Sequence, residues 1–234
     1  PSRIYCVSIM PCLAKKAECG YETMRNAAGA PDVDVVLTTR ELDRLLRMEN
    51  IAPDEIDEIE LDNPFSMGSG AANIFGSTGG VMEAALRTAY HSVTGKNPDP
   101  DAFHDVRGEK GWKEASFDIA GVTVRAAVVH GLGNAVKLLN ALRKKTVHYD
   151  FVEVMACPGG CVGGGGQPIH DSVEMAATRA KTLYAQDAGG TLRFSHENPD
   201  VLRCYEEYLG KPLSERAEQL LHTDHHGWKM PGEK

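Results

Sequence analysis

The sequence predicts an α/β fold of two lobes, in which mostly parallel sheets are flanked by helices, followed by a helical C-terminal extension. Two observations support this prediction. In both halves of the chain, short β-branched segments alternate with segments of helical periodicity, a pattern typical of parallel sheets. The stretch between the halves contains prolines and many charges without a hydrophobic period, so it suits a connector. We therefore divide the chain into part of a first lobe, a connector, a second lobe and a helical extension, at residues 1–95, 96–116, 117–190 and 191–234.

The first half is predicted to contain two strands and three helices. The strands are residues 4–9 and 33–37, and the helices are residues 13–25, 38–50 and 81–93. The second of these helices opens with Thr38, and Glu41 follows at the spacing of a capping box. On the third helix, the residues expected to face inward are Val81, Ala84, Ala85, Thr88 and Ala89.

The second half repeats the alternation of strands and helices. Strands are predicted at residues 121–130 and 149–155, with a helix between them at residues 134–145. A long polar helix and two shorter ones follow, at residues 172–188, 199–209 and 214–222. The tail from His225 is expected to be frayed.

Composition and charge exclude several classes of function. Hydrophobic residues make up 42% of the 234 residues and charged residues 25%, which is too apolar for a disordered chain. With 25 Lys and Arg against 33 Asp and Glu, the net charge of −8 leaves no positive surplus to bind a nucleic-acid backbone. No run approaches the roughly 18 apolar residues of a membrane span, and no signal peptide opens the chain. Six cysteines are too few for a disulfide scaffold, so we expect a reducing, cytoplasmic location.

The densest chemical signal lies between Cys157 and Pro168, directly after a predicted strand. Six of the chain's 24 glycines fall in these 12 residues, and Cys161 follows Cys157 four positions later. Ligands bind at the carboxyl ends of strands in open α/β sheets, and glycine lets backbone N–H groups approach an anionic ligand. We therefore interpret the two thiolates as candidates for one shared metal centre. The alternative is a flexible loop with two incidental cysteines.

A second cysteine site follows the first predicted strand. Cys12 stands at the expected start of a helix, where the helix N-terminus favours the thiolate. Lys15 comes about one turn later on the same predicted face, so its ammonium could reach an anionic ligand held by the sulfur, and Glu18 continues that line. Taken alone, such a cysteine is more often a small buried hydrophobe.

Together these segments resemble the iron-only (di-iron) hydrogenases. Met10-Pro11-Cys12-x-x-Lys15-x-x-Glu18 is similar to the second signature motif of that family, and the run from Glu153 to Pro168 is similar to the third. Shorter similarities extend the resemblance over nearly the whole chain, at residues 63–65, 74–85, 130–135 and 195–199. The chain therefore looks like the C-terminal portion of a hydrogenase catalytic domain, with the active site between two α/β lobes.

The resemblance implies a specific cofactor, a 4Fe-4S cluster bridged through a cysteine sulfur to a two-iron subsite with carbonyl, cyanide and azadithiolate ligands. It assigns cluster ligation to Cys12, Cys157 and Cys161, with Cys161 also bridging to the two-iron unit. It further implies that Lys15 donates a hydrogen bond to a cyanide. The remaining implied neighbours of the two-iron subsite are Met10, Met155 and Phe75.

One departure from the family pattern concerns the first motif, Thr-Ser-Cys-Cys-Pro-x-Trp, which is absent. In the family it supplies a further cubane ligand and the cysteine that passes protons to the azadithiolate. A cubane normally takes four thiolates, and the spare cysteines Cys6, Cys19 and Cys204 are expected to be packed or surface thiols. We therefore expect an N-terminal segment or a separate subunit to carry the first motif. Because the chain opens with Pro1 close to a strand, the natural product is expected to start upstream.

The resulting functional prediction is an oxidoreductase that reversibly reduces protons to dihydrogen. Its electron partner would be ferredoxin, or a redox subunit linked to NAD(P). A non-catalytic relative that assembles iron–sulfur clusters or senses hydrogen is the alternative. Glycines 159 and 160 after Cys157-Pro158 favour the catalytic pattern, because the assembly relatives tend to carry serine after Cys-Pro. Three acidic residues are candidates for proton transfer, with a solvated or salt-bridged role as the alternative: Glu83, Glu109 and Glu153.

Overall fold

The structure, a computed structural model, describes residues 4–26, 29–60, 62, 65–170 and 173–222. Within these ranges, five strands form two sheets and the chain has the α/β architecture that the sequence predicts. Parts of some predicted features lie outside the described residues, namely positions 63 and 64, the start of the helix at 172 and the tail from 225. In the part that is described, no helix combines the length and apolarity needed to span a bilayer.

The first sheet pairs β1 (Val7–Met10) with β2 (Val35–Thr38) in parallel, and Met10 lies opposite Thr38. After β1 comes α1 (Lys15–Glu18), which is much shorter than the predicted helix over residues 13–25. The prediction was wrong because the chain turns after Glu18. There, backbone N–H groups donate to the carbonyl three residues earlier instead of four residues earlier. Gly20 follows at once, and glycine costs about 1 kcal/mol relative to alanine in a helix.

Helix α2 (Thr39–Met48) begins at the predicted capping box. The Glu41 N–H donates to the Thr38 hydroxyl at 3.1 Å, and the Glu41 carboxylate accepts from the Thr38 N–H at 2.8 Å. The Thr38 N–H and the Lys16 ammonium lower the pKa of Glu41 to about 2. This helix start therefore stays fixed at the carboxyl end of β2, which is the end that faces the site.

The second sheet has the order β3 (Trp112–Ile119), β4 (Val122–His130), β5 (Phe151–Met155). Strands β4 and β5 are parallel, whereas β3 and β4 form an antiparallel hairpin. The sequence did not predict β3, whose first residues fall in the predicted connector. The inward-facing residues of β3 include the buried Lys113 together with Phe117 and Ile119. Because a charged residue takes an inward position, the sequence lacks the alternation of apolar and polar residues that predicts a strand.

Helices cover both faces of the second sheet. Helix α4 (Gly80–Thr94) packs on β3 and β4, and α5 (Leu132–Arg143) packs through Ala135 and Leu138 on Val129. The inward face predicted for α4 was only partly right, since Ala89 is exposed. The buried residues of α4 are Gly80, Met82, Glu83, Ala84, Leu86 and Arg87.

The remaining helices are short or lie toward the C-terminus. The described bounds are α3 (Gly70–Asn73), α6 (Ala176–Gly189), α7 (Pro199–Cys204) and α8 (Glu215–Leu221). The predicted helix over residues 199–209 is α7 followed by a π-helical turn, Tyr205–Leu209. The division of the chain at residues 95, 116 and 190 stays a prediction.

Candidate metal centre

Two loops from different sheets meet at the carboxyl ends of their strands. The first loop follows β1 and contains Pro11 and Cys12, and the second follows β5 and spans residues 157–168. The Gly166 N–H donates to the Pro11 carbonyl at 2.9 Å. A Cβ on Gly164 would collide with that same carbonyl, so only glycine permits this approach. The glycine run thus brings the second cysteine loop against the first.

The three motif cysteines and Lys15 gather at this junction. All three are free thiols; Cys12 and Cys157 are half-buried and Cys161 is exposed. Partial burial raises the pKa of the Cys161 thiol, and the neighbouring charges of Cys12 and Cys157 raise it further. The Lys15 ammonium acts in the opposite direction. Each of these effects requires proximity, so the other three side chains lie within electrostatic reach of Cys161.

The donor set suits an iron–sulfur cluster. Among the described residues, no three His, Cys, Asp or Glu side chains are placed to hold one metal ion. Thiolates are the ligands that cluster iron prefers, and a cluster of several irons binds its thiolates at separate corners. Three neighbouring thiols therefore fit an iron–sulfur cluster.

Lys15 is placed differently from the sequence prediction. Cys12 precedes α1, which begins at Lys15, so the two do not share a helix face. The Lys15 ammonium pairs with the Glu18 carboxylate at 2.7 Å, and its side chain is 41% exposed. Met10, Lys15 and Cys19 line a cavity of about 140 Å³. A half-exposed lysine in this position can exchange its carboxylate partner for another anion.

A larger cavity of about 400 Å³ opens beside Cys161. Pro11 of the first loop, Gly76 and Arg179 contribute to its wall, whereas Phe75 is not among its lining residues. Phe75 lies in a 3₁₀ turn before α4 and is 45% exposed.

Two methionines of the predicted site end the strands that lead to it. Met10 closes β1 and Met155 closes β5. The Met155 sulfur lies 2.8 Å from the point that a Cβ on Gly160 would occupy, so it covers the second loop directly. Both side chains are only partly exposed.

The spare cysteines have other surroundings. The Cys19 thiol donates to the Lys16 carbonyl at 3.2 Å, the Cys6 N–H donates to Asp34, and Cys204 ends α7. All three are half-buried.

His130 anchors the second loop, a role that sequence reasoning missed. The Gly159 N–H donates to His130 Nδ1 at 3.0 Å, so the imidazole proton is assigned to Nε2, 3.1 Å from the Glu109 carbonyl. The Gly159 carbonyl accepts from the Thr78 N–H at 3.0 Å. The signal in the sequence that could have indicated this role is the place of His130 at the end of β4, next to the strand that leads into the loop.

Two buried charged residues, Glu153 and Lys113, lie close enough to influence each other electrostatically. The Glu153 carboxylate accepts from the backbone N–H groups of Gly79 at 2.6 Å and Met82 at 2.8 Å, so it caps the start of α4. Burial raises the pKa of Glu153, which these donors oppose. Burial lowers the pKa of Lys113 to about 8, against the charges of Glu153 and Glu109. Glu153 therefore has a structural role in the resting chain.

Lys113 makes stability depend on pH. The folded chain releases the Lys113 proton at about pH 8, whereas the unfolded chain holds it to about pH 10.5. Between these values the unfolded state binds more protons, so the free energy of unfolding rises with pH, by roughly 3 kcal/mol from this group. The contribution is lost as pH falls through 8. Urea titrations of wild type and Lys113→Met from pH 7 to 11 measure it; parallel curves would contradict this expectation.

A buried ion network joins α4 to α6. The side chains of Glu83, Arg87 and Asp187 are fully buried, and Arg87 contacts both carboxylates at 2.8 Å. Arg107 and Arg193 extend the network to the surface residue Asp101. Glu83 thus has the salt-bridged role that was the alternative to proton transfer.

Comparison with known proteins identifies the family. The profile described as iron only hydrogenase large subunit, C-terminal domain, matches residues 1–165. The chain belongs to the iron-only hydrogenase large-subunit family. A second profile, iron hydrogenase small subunit, matches residues 173–228. The resemblance inferred from the cysteine motifs is thereby confirmed. The helical C-terminal part of the chain matches a separate family profile.

Relatives of this hydrogenase chain are longer than it is. The NADP-reducing hydrogenase subunit HndD of Solidesulfovibrio fructosivorans is 51% identical over 223 residues, covering 94% of this chain and 38% of HndD. A solved variant of FeFe-hydrogenase HydA1 from Chlamydomonas reinhardtii aligns with a TM-score of 0.76 at 40% identity, covering 94% of this chain and 62% of that one. Cytosolic iron–sulfur assembly component 3 of Mus musculus is 32% identical over 245 residues, covering 99% of this chain and 49% of that protein.

Proposed function

We propose that this chain is the catalytic part of an iron-only hydrogenase that interconverts protons, electrons and dihydrogen. The observation that carries the proposal is the contact between the loop that contains Cys12 and the loop that contains Cys157 and Cys161, where the Gly166 N–H donates to the Pro11 carbonyl at 2.9 Å. A 4Fe-4S cluster bridged to a two-iron subsite with carbonyl, cyanide and azadithiolate ligands, when bound, supplies the redox chemistry for this reaction.

In this proposal the chain's own residues hold and enclose the cofactor. The thiolates of Cys12, Cys157 and Cys161 would hold the cubane, and Cys161 would also hold the two-iron unit. Because burial and neighbouring charge raise the pKa of Cys161, metal must displace a proton there, and loading should improve as pH rises.

The remaining site residues act on the two-iron subsite. Lys15 would release Glu18 and donate a charge-assisted hydrogen bond from its ammonium to a cyanide ligand. Met10, Met155 and Phe75 would provide apolar surface that excludes water from the iron ligands.

The proposal includes a partner that supplies the missing ligand and proton relay, because three thiolates leave one corner of a cubane open. We propose that an upstream segment or subunit with the first motif binds beside β1. Val7 and Ile9 on that strand are 50% and 47% exposed, and β2 is the strand paired with it among the described residues. The other proposed partner is an electron carrier, ferredoxin or a redox subunit linked to NAD(P), in the cytoplasm.

A second candidate function is cluster assembly without catalysis, favoured by the similarity to assembly component 3. The loop conformation supports catalysis instead. Gly159 and Gly160 have φ angles of +76° and +94°, and a Cβ on Gly160 would lie 2.7 Å from the Thr78 nitrogen. Serine in either place would strain the loop. The chain therefore carries glycine directly after Cys157-Pro158, where the assembly relatives tend to carry serine.

The test is anaerobic reconstitution of the full chain with iron, sulfide and a synthetic two-iron precursor, with and without the upstream polypeptide of a hydrogenase. We expect carbonyl and cyanide infrared bands, and hydrogen evolution from reduced methyl viologen only when the upstream polypeptide is present. A cubane without infrared bands in either arm would favour assembly. Infrared bands without turnover in the completed complex would favour sensing. Rapid turnover by the chain alone would contradict the need for the partner.

Lys15→Asn in the completed complex tests the cyanide donor. We expect shifted cyanide bands and weaker retention of the two-iron unit, because asparagine offers a neutral donor that is too short to reach. Lys181→Asn, an exposed substitution on α6, is the matched control. Unchanged cyanide bands with undiminished hydrogen evolution in Lys15→Asn would remove this role.

A further inference from the structure

The loop that carries Cys161 has few side chains of its own to fix it. Residues 163–166 are all glycine, and glycine loses more backbone freedom on ordering than any other residue. Yet many carbonyl groups of this loop accept hydrogen bonds from outside it. Arginine side chains from two helices donate to four of these carbonyls.

Arg40 reaches the loop from α2 of the first sheet. Its Nε and Nη2 donate to the Gln167 carbonyl at 2.9 and 2.7 Å, and Nη2 also donates to the Gly165 carbonyl at 2.9 Å. The Arg40 backbone N–H and the Thr39 hydroxyl both donate to the Gly166 carbonyl, each at 2.9 Å. These contacts cross between the element that follows β2 and the loop that follows β5.

Arg179 reaches the same loop from α6. Its Nη1 donates to the Val162 carbonyl and its Nη2 to the Pro168 carbonyl, each at 3.0 Å. The two guanidinium groups thus take carbonyls on both sides of the glycine run. A planar fork can hold two carbonyls in fixed directions, which a lysine ammonium on a flexible stem does not reproduce.

We propose that Arg40 and Arg179 are positioning residues that form a two-arginine clamp on the Cys161 loop. Arg179 fixes the loop to α6, and Arg40 fixes its far end to the sheet that carries Cys12. The clamp sets where the Cys161 thiol stands relative to Cys12 before any cluster is bound. Cluster binding then does not have to order a glycine chain. This inference rests on the proposed function for its purpose, but not for its geometry.

The experiment first measures the chain without cluster. Arg40→Lys and Arg179→Lys keep the charge and remove the fork, and Arg44→Lys on α2 and Lys181→Arg on α6 are matched exposed controls. Hydrogen exchange of residues 160–168 reports loop order, and a short bismaleimide linking Cys12 to Cys161, identified by mass spectrometry, reports thiol position. We expect at least tenfold faster exchange in both clamp variants and several-fold less Cys12–Cys161 product in Arg40→Lys. The controls should match wild type, and urea midpoints identify any variant that is simply unfolded.

The second measurement is iron loss to a chelator after reconstitution with iron and sulfide. We expect at least tenfold faster loss in both clamp variants than in either control. Unchanged exchange and cross-linking would overturn the clamp. Faster exchange with unchanged cross-linking and iron loss would show that the arginines stabilise the loop without positioning the Cys161 thiol, and would overturn the proposal. If wild type takes up no iron even with the upstream polypeptide present, the proposed function fails, while exchange and cross-linking still decide the clamp.

Discussion

Cys161→Ser is expected to abolish loading of the two-iron unit and to lower hydrogen evolution of the completed complex by about 100-fold or more. Changing residues that merely support a metal ligand already costs about 10- to 100-fold, and Cys161 is the proposed bridge itself. Serine keeps the size but offers a harder oxygen donor, which cluster iron binds less well than thiolate. Iron content, infrared bands and hydrogen evolution are the measurements.

Cys204→Ser is the matched control, because it removes a half-buried thiol at the end of α7, outside the two loops that meet at the site. We expect it to load iron and turn over as wild type does. Full activity in Cys161→Ser would contradict the assignment of the bridge. Equal losses in both variants would instead indicate that thiol chemistry in general, such as oxidation during preparation, limits loading.

Features set by neighbouring residues could be predicted from the sequence. The capping box of α2 depends on Thr38 and Glu41 alone, and it forms as predicted. The two cysteine loops were predicted to meet because each follows a strand, and strands of α/β sheets end in ligand sites. The structure brings these loops together through the contact of Gly166 with Pro11.

Features set by distant partners could not be predicted in the same way. Lys113 is buried in β3 because Glu153 and the Gly108 carbonyl lie close to it. The alternation of residues along the strand indicates neither of these neighbours. The contacts of Arg40 with Gln167 join positions 127 residues apart. A polar residue with a remote partner looks like a surface residue in the sequence, so both were missed.

The buried ion network predicts the largest effect on stability. Arg87 donates two hydrogen bonds to the Asp187 carboxylate, at 3.0 and 2.8 Å, and one to Glu83 at 2.8 Å. All three side chains are fully buried. Removing one partner of a buried pair leaves an uncompensated charge, which costs about 3–5 kcal/mol. Arg107 and Arg193 still face the two carboxylates, so the lower end of that range applies.

Arg87→Met is therefore expected to lower the free energy of unfolding by about 3 kcal/mol, measured by urea titration at pH 7. Methionine fills much of the same volume, so the loss reports charge and not a cavity. Arg47→Met is the control, because its pair with Asp43 is exposed to solvent and contributes little to stability. Adding Glu83→Gln to Arg87→Met restores the balance between the remaining charges, Asp101 and Asp187 against Arg107 and Arg193, and should recover part of the loss. If that double variant is less stable than Arg87→Met, the cost comes from lost packing between α4 and α6, and the electrostatic explanation is wrong.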